Sequence, residues 1–427
     1  MGMLGSALLV LLGLGAPIAM ALSAVTVGYI MYDPLLSESA IFRSFFSFVN
    51  SYTLMAIPFF VYAGFLMERT GLINKLFRLA DAMIGWLPGG FAYATILAAV
   101  MFGAISGSST AMSAAMGVVA YPEMIKRGYP RWMAAGVIAT GGGIAILMPP
   151  SVTLILYGVL TEESIVKLFF AGITPAIMLA LSDAAIVLTM AHILGLPANK
   201  FDPRELFNAF LAAWPALLMP VIVLGGLYGG VLTPTESGAA ACAYALTYGL
   251  FALGKDFFKE MWAATERAVN LTAILFFVLG GVGLFQFLLA NQGWPQDIAA
   301  WITGMGLSPI AFLAILMVIL LMLSMFLTGV ALLVLVVPII YPVSLTLGID
   351  PIHLGILFAL CIEMGAVIPP VGLNLFAVSG TTGVPVTTVM RGSFPFLCSD
   401  GVVLFLVMLF PIMTLWLPNL AVQSVFN

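Results

Sequence analysis

Helix-breaking residues recur in this chain at a fixed spacing of 220 residues, and that recurrence limits the fold more than any other feature. Pro122 pairs with Pro342, Gly128 with Gly348, the doublet Pro149-Pro150 with Pro369-Pro370, Gly172 with Gly392, and Pro175 with Pro395. No gap is needed between segments 122–175 and 342–395. Proline removes a backbone donor and glycine permits left-handed backbone. Shared breakers therefore mean shared places where the chain must bend. The chain reads as two copies of one unit.

Hydrophobic residues make up 63% and charged residues 7% of the sequence. Soluble domains run near ~45–50% and ~25%. Uncharged runs such as Met3–Tyr32, Ser44–Met67, Ala82–Pro122, Ile298–Ile349 and Gly401–Asn427 reach or exceed the roughly 20 residues a spanning helix needs. They lack the alternation of a membrane β-barrel. The expected fold is all-α and polytopic, with the lipid bilayer as its solvent. The first run, 3–32, is expected to be a single retained span rather than a cleaved signal. Cys242, Cys361 and Cys398 sit in apolar runs and read as small core residues. No phosphate loop, nucleophile–base pair, metal-ligand cluster or nucleic-acid surface is evident, so the sequence points away from an enzyme. His192 and His353 lack metal-site partners, and no ATPase domain is present. Any pumping must draw on an ion gradient or on a partner.

Lys and Arg favour the cytoplasmic side. The clusters Arg69/Lys75/Arg78, Lys126/Arg127/Arg131, Lys200/Arg204 and Lys255/Lys259/Arg267 are all expected there. The N-terminus is then cytoplasmic and the C-terminus periplasmic. Glu68–Pro88 reads as an interfacial helix. Residues 89–126 must enter and leave on one side, with arms of about 17 residues around Ser106-Gly107-Ser108-Ser109, the low edge of a span. Either a re-entrant hairpin or two short spans fit, and the hairpin is the organisation expected here. The loop Glu123–Arg131 carries three basic residues, whereas its partner Val343–Pro351 carries none and holds Asp350. That opposite bias implies copies inverted in the membrane. The expected organisation is a first repeat at 1–200 (hairpin 89–126, broken helix 132–160), a connecting scaffold helix at 201–231, and a second repeat at 232–427 (hairpin 307–346, broken helix 352–380).

Each copy carries two breaks inside hydrocarbon. The first has the serine turn and Gly141-Gly142-Gly143 ahead of Pro149-Pro150-Ser151. The second has Leu327-Thr328-Gly329 and Gly365-Ala366-Val367-Ile368-Pro369-Pro370, then Gly372 and Asn374. Unpaired carbonyls in lipid cost several kcal/mol unless they line a cavity or bind something. With Ser/Thr hydroxyls they form oxygen cages suited to a small cation such as Na⁺. Inward-pointing helix N-termini suit a carboxylate. Glu363, six residues before Pro369, is the strongest candidate for a coupling carboxylate, or else it fastens two helices. Glu236 reads as helix-start capping, and Asp183 and Asp400 receive no role.

At these residues the chain resembles the large membrane subunit of the tripartite ATP-independent periplasmic (TRAP) transporters. The likeness spans nearly the whole chain. It is strongest in Ala104–Met116, Pro122-Glu123-Met124, Ala135–Ser151, the LTPTESG of Leu232–Gly238, and Gly348–Gly380 with its EMGAVIPPVGLNLF. The resemblance implies an elevator transporter of the bacterial inner membrane, working with a small membrane subunit and a periplasmic solute-binding protein. It implies sodium-driven import of organic acids such as dicarboxylates or sialic acid. The small subunit is expected as a separate polypeptide. Carried over by resemblance, the sodium ligands are Ser106, Ser108, Ser109, Gly141 and Gly143, with the mirror set Thr328, Gly329, Gly365 and Val367. The solute is expected near Pro150, Ser151, Pro370 and Asn374. Thr328 stands where members often carry an acid, and Met112 where some carry a polar residue. A stand-alone sodium/divalent-anion symporter and a passive channel are the alternatives.

Overall fold

A chain this apolar must satisfy its backbone within each segment, which in lipid means helices. The computed structural model describes residues 2–34 and 36–426, and no strand occurs among them. The first ten helices are α1 (Gly2–Gly13), α2 (Ile18–Tyr32), α3 (Ser39–Val49), α4 (Ala56–Arg69), α5 (Leu72–Ile84), α6 (Gly90–Ser106), α7 (Ser109–Lys126), α8 (Arg131–Ile144), α9 (Val152–Thr161) and α10 (Ile165–Leu194). A single helix, α11 (Pro203–Tyr228), follows. Then come α12 (Pro234–Leu253), α13 (Phe257–Asn291), α14 (Trp294–Gly304), α15 (Pro309–Ser324), α16 (Gly329–Thr346), α17 (Pro351–Gly365), α18 (Leu373–Thr382), α19 (Val386–Leu409) and α20 (Ile412–Phe426).

The helices α6 to α9 and α15 to α18 begin and end within two residues of the 220-residue spacing, and α7 and α16 match at both ends. The breakers account for this. Gly107, at φ 59°, closes α6, and Ser108 caps α7. Thr328, 220 residues on, caps α16 in the same way. Both proline doublets contain a cis peptide bond and separate α8 from α9 and α17 from α18.

The helices long and apolar enough to cross a bilayer are α10, α11, α16 and α19, together with the Pro234–Asn291 stretch, in which α12 and α13 are parted by a turn at Gly254. α6, α9, α15 and α17 are apolar but only 10–17 residues long. At 1.5 Å per residue such helices fall short of a bilayer core of about 30 Å. They therefore make hairpins and broken helices. Two of the uncharged runs are interrupted. The run 3–32 is two helices, because Gly15 turns at φ 81° and Pro17 cannot donate. The last run divides at Phe410-Pro411, where proline again removes a backbone donor. α5, within the expected interfacial segment, buries Leu72, Ile73, Leu76, Phe77, Leu79 and Ala80 on one face.

Ion pairs gather the four basic clusters at one end of the bundle. Arg69 meets Glu260 at 2.9 Å, Arg78 forks onto Glu205 at 2.5 and 2.9 Å, and Arg127 reaches Asp81 at 3.3 Å. Asn199 donates to the same Asp81 carboxylate. Burial pushes the Asp81 carboxyl up, and the Arg127 guanidinium partly offsets this. At the other end, Tyr341 donates to Glu163 at 3.1 Å and Tyr157 to the Pro351 carbonyl at 2.8 Å. The surface pairs contribute little to stability, but they register which helix ends lie together. Met1 and Asn427, whose sides the charge bias assigns, lie outside the described residues.

Candidate solute and ion site

Both hairpin tips seat on the break of the broken helix in their own copy. In the first copy, a Cβ on Gly107 would lie 2.5 Å from the Pro150 carbonyl oxygen, so only glycine permits the contact. Ser108 accepts from Ala111 N and Ser151 from Leu154 N, so each opens its helix as a cap. The N-termini of α7 and α9 thus start side by side, with their partial positive charge at one place. In the second copy, a Cβ on Gly365 would lie 2.2 Å from Ser324 Oγ, and one on Gly329 2.4 Å from the Ile362 side chain. Val371 N donates to Met325 O at 3.3 Å.

The copies are joined by polar groups in the middle. Ser109 Oγ donates to Asn374 Oδ1 at 2.7 Å, and Asn374 Nδ2 donates to the Ala139 carbonyl at 3.1 Å. Asn374 N donates to Ala366 O at 2.9 Å, across the second break. Glu363 packs directly on Gly143, whose Cβ position lies 2.1 Å from Glu363 Oε1. Ser109, Gly143, Glu363 and Asn374 thus form one buried group, with Ser151 buried nearby at the first break. The other predicted residues are spread more widely. Gly141 faces Ala99, Ser106 backs onto Gly64, and Val367 N is tied to Met364 O. Pro370 and Thr328 are exposed, whereas Gly107, Pro150 and Ser151 are buried. The first tip is thus more deeply buried than the second.

Three buried polar groups have no role assigned from the sequence: Ser113 goes unnoticed there, and Asp183 and Asp400 are unplaced. Ser113, one turn beyond Ser109, is fully buried, has no hydrogen-bond partner among the described residues and points at Gly142. Asp183 on α10 and Asp400 on α19 are each 1% exposed, as is Glu363. Asp183 faces both other acids. Asp183 and Asp400 are within hydrogen-bond reach of each other, so one can donate to the other only when protonated, Glu363 Oε2 is left without a partner, and none of the three pairs with a base among the described residues. Carboxyls so placed stay buried only when protonated or beside a cation. Their signal was simply acids inside apolar runs; what brings them together is helix packing.

Residues 6–413 match the family described as tripartite ATP-independent periplasmic transporter, DctM component. The chain belongs to this family. It is 40% identical over 370 residues to the C4-dicarboxylate TRAP transporter large permease protein DctM of Pseudomonas aeruginosa, covering 86% of each chain. It is 32% identical over 411 residues to the sialic acid TRAP transporter large permease protein SiaM of Vibrio cholerae, covering 96% of each. The crystal structure of the Alcanivorax borkumensis YdaH transporter superposes with a TM-score of 0.65 at 14% identity, covering 92% of this chain and 96% of that one. This TRAP large permease is thus an integral membrane transport protein whose fold recurs in a distant transporter.

Proposed function

We propose that this TRAP permease imports an organic carboxylate coupled to sodium, by an elevator step in the inner membrane. The solute is handed over by a periplasmic binding protein, and a small membrane subunit completes the scaffold. The basic end of the bundle faces the cytoplasm, following the Lys/Arg bias. Residues 1–200 and 232–427 act as inverted repeats, with α11 linking them. Sodium sits in the two cages of tip and broken helix: Ser106, Ser108, Ser109, Gly141 and Gly143 in one, Thr328, Gly329, Gly365 and Val367 in the other. The carboxylate rests near Pro150, Ser151, Pro370 and Asn374, with Glu363 beside it as a coupling group. C4-dicarboxylates and sialic acid are the solute classes that the relatives' names suggest.

The observation that carries this reading is the Ser109–Asn374–Ala139 chain of hydrogen bonds, which ties one hairpin tip to both broken helices. A bound ion or solute there would change how hairpin and breaks sit together. The test is uptake of radiolabelled succinate and N-acetylneuraminate into proteoliposomes holding this chain with its small subunit, with and without the cognate binding protein. Uptake that requires the binding protein and an inward sodium gradient is expected. Full-rate uptake without the binding protein would favour a stand-alone symporter, and sodium-independent, non-saturating flux a channel.

A further inference from the structure

A cavity of about 880 Å³ opens at the basic end of the bundle, between α7, the start of α8 and the turn joining α18 to α19. That is within the size range of small-molecule pockets, roughly 300–1,000 Å³. Its walls include Tyr121, Arg131, Thr381, Thr382, Gly383 and Thr388. Arg131 is the charged side chain among the lining residues, no acid lines the cavity, and Arg131 makes no ion pair among the described residues. Along α7 its wall at Gly117 lies eight residues from Ser109, or about 12 Å, and along α18 its wall at Thr381 lies seven residues from Asn374, or about 10 Å, at 1.5 Å per residue. The cavity is therefore separate from the buried group at the hairpin tip.

The repeat supplies an internal control. Tyr341 is the counterpart of Tyr121 at the 220-residue spacing, and the counterparts of Thr382, Gly383 and Arg131 are Glu162, Glu163 and Pro351. In that copy Tyr341 donates to Glu163, so an acid occupies the corner. Here both acids are replaced by a threonine and a glycine, and a guanidinium is added. One helix arrangement thus presents an acidic corner at one end of the bundle and a cationic, hydroxyl-lined space at the other. We infer that the cavity is a second binding site, for a small organic carboxylate, occupied after the solute leaves the hairpin tip and before it reaches the cytoplasm. Arg131 holds the carboxylate and the threonine hydroxyls hold the rest of the molecule. The assignment of the carboxylate as transported solute rests on the function proposed above.

The test places a reporter cysteine at Thr388, and separately at Val118 on the facing wall, in a Cys398→Ser background of the full chain with its small subunit. Each is reacted with an anionic sulfonatoethyl and a cationic trimethylammonium-ethyl methanethiosulfonate. The anionic reagent is expected to react faster. Arg131→Gln is expected to lower the anion-to-cation rate ratio about tenfold, the factor given by about 1.4 kcal/mol, and Arg131→Lys to restore most of it. Millimolar succinate or N-acetylneuraminate is expected to slow labelling in the parent and not in Arg131→Gln. Equal rates for the two reagents at both reporters, a ratio indifferent to Arg131, or no protection by either acid would overturn the inference. Anion preference and protection that persist in a protein unable to take up either acid would uphold the cavity and count against the transport reading alone.

Discussion

Gly143→Ala tests the contact that joins the two copies. The added Cβ would stand 2.1 Å from Glu363 Oε1, 2.7 Å from its Cγ and 2.8 Å from its Cδ. Non-bonded atoms settle near ~3.5–4.0 Å, so the whole carboxyl arm must retreat by roughly 1 Å or more. It has nowhere easy to go, because Glu363 is 1% exposed and its helix is buried along its length. Overpacking of this kind costs about 1–3 kcal/mol. Replacing glycine by alanine inside a helix returns about 0.5–1 kcal/mol. The net expectation is a loss of about 0.5–2 kcal/mol, seen as a lower thermal midpoint of the purified protein, with loss of uptake. In a Glu363→Ala background the obstacle is gone and only the helix gain remains, so the same substitution is expected to raise the midpoint. The reversal of sign, a coupling of about 1–3 kcal/mol, is the readout. A Gly143→Ala effect of the same sign and size in both backgrounds would refute the contact.

Ser109→Ala and Asn374→Leu remove the two ends of one hydrogen bond. Their combined effect on stability is expected to fall short of additive by about 0.6 kcal/mol, the average for such bonds in membranes; a double-mutant cycle by thermal unfolding checks this. Gly365→Val drives a side chain into Ser324, and uptake is expected to vanish while the protein still inserts, judged by membrane fractionation alongside transport. Retained sodium-dependent uptake would remove Gly365 from the cage. The Arg78 guanidinium holds the Glu205 carboxyl below its usual range. Because the folded value is depressed, this stabilisation is present above the unfolded pKa, about 4.3, and is lost as pH falls through the folded value. Glu205→Gln is expected to flatten the acid limb of the stability–pH curve, and an unchanged curve would dismiss the pair.

Much of the scaffold was legible because breakers act locally. Pro149-Pro150 and Pro369-Pro370 interrupt a helix wherever they occur, and Ser108, Ser151 and Thr328 cap the helix that follows by bonding three residues ahead. The same local logic missed the break at Gly15–Pro17, because an unbroken apolar run outweighed one glycine and one proline. Contacts between distant helices left no local trace. Nothing near Asp183 announces Asp400, and nothing near Ser109 announces Asn374, although both pairs are set by how α10, α19, α7 and α18 pack. Arg131 read as one more charge in a basic loop, and only the turn at Thr381–Pro385 shows that it overhangs a cavity.

Gly143 and Glu363 are counterparts at the 220-residue spacing, yet they touch. Under a two-fold relation, a position meets its own counterpart only on the axis between the copies. Perfect symmetry there has two outcomes, and both are unfavourable. Two glutamates would force carboxyls together in a space without a base, and two glycines would leave a void between buried helices. One of each fills the space with a single acid. Ser109 and its counterpart Gly329 show the same division: each packs on the same place of its broken helix, Gly142 or Ile362, but only the serine carries a hydroxyl to Asn374. The counterpart of Asn374 is Leu154, so the second broken helix alone supplies the amide. Polar groups are thus handed to one copy and space to the other, giving a repeated fold a single, directional centre. It follows that exchanging the pair, Gly143→Glu with Glu363→Gly, would preserve the volume at the axis while moving the acid from α17 to α8. Such a swap is expected to keep most of the thermal midpoint and lose the transport cycle. If it instead transported normally, the acid would be serving only as packing.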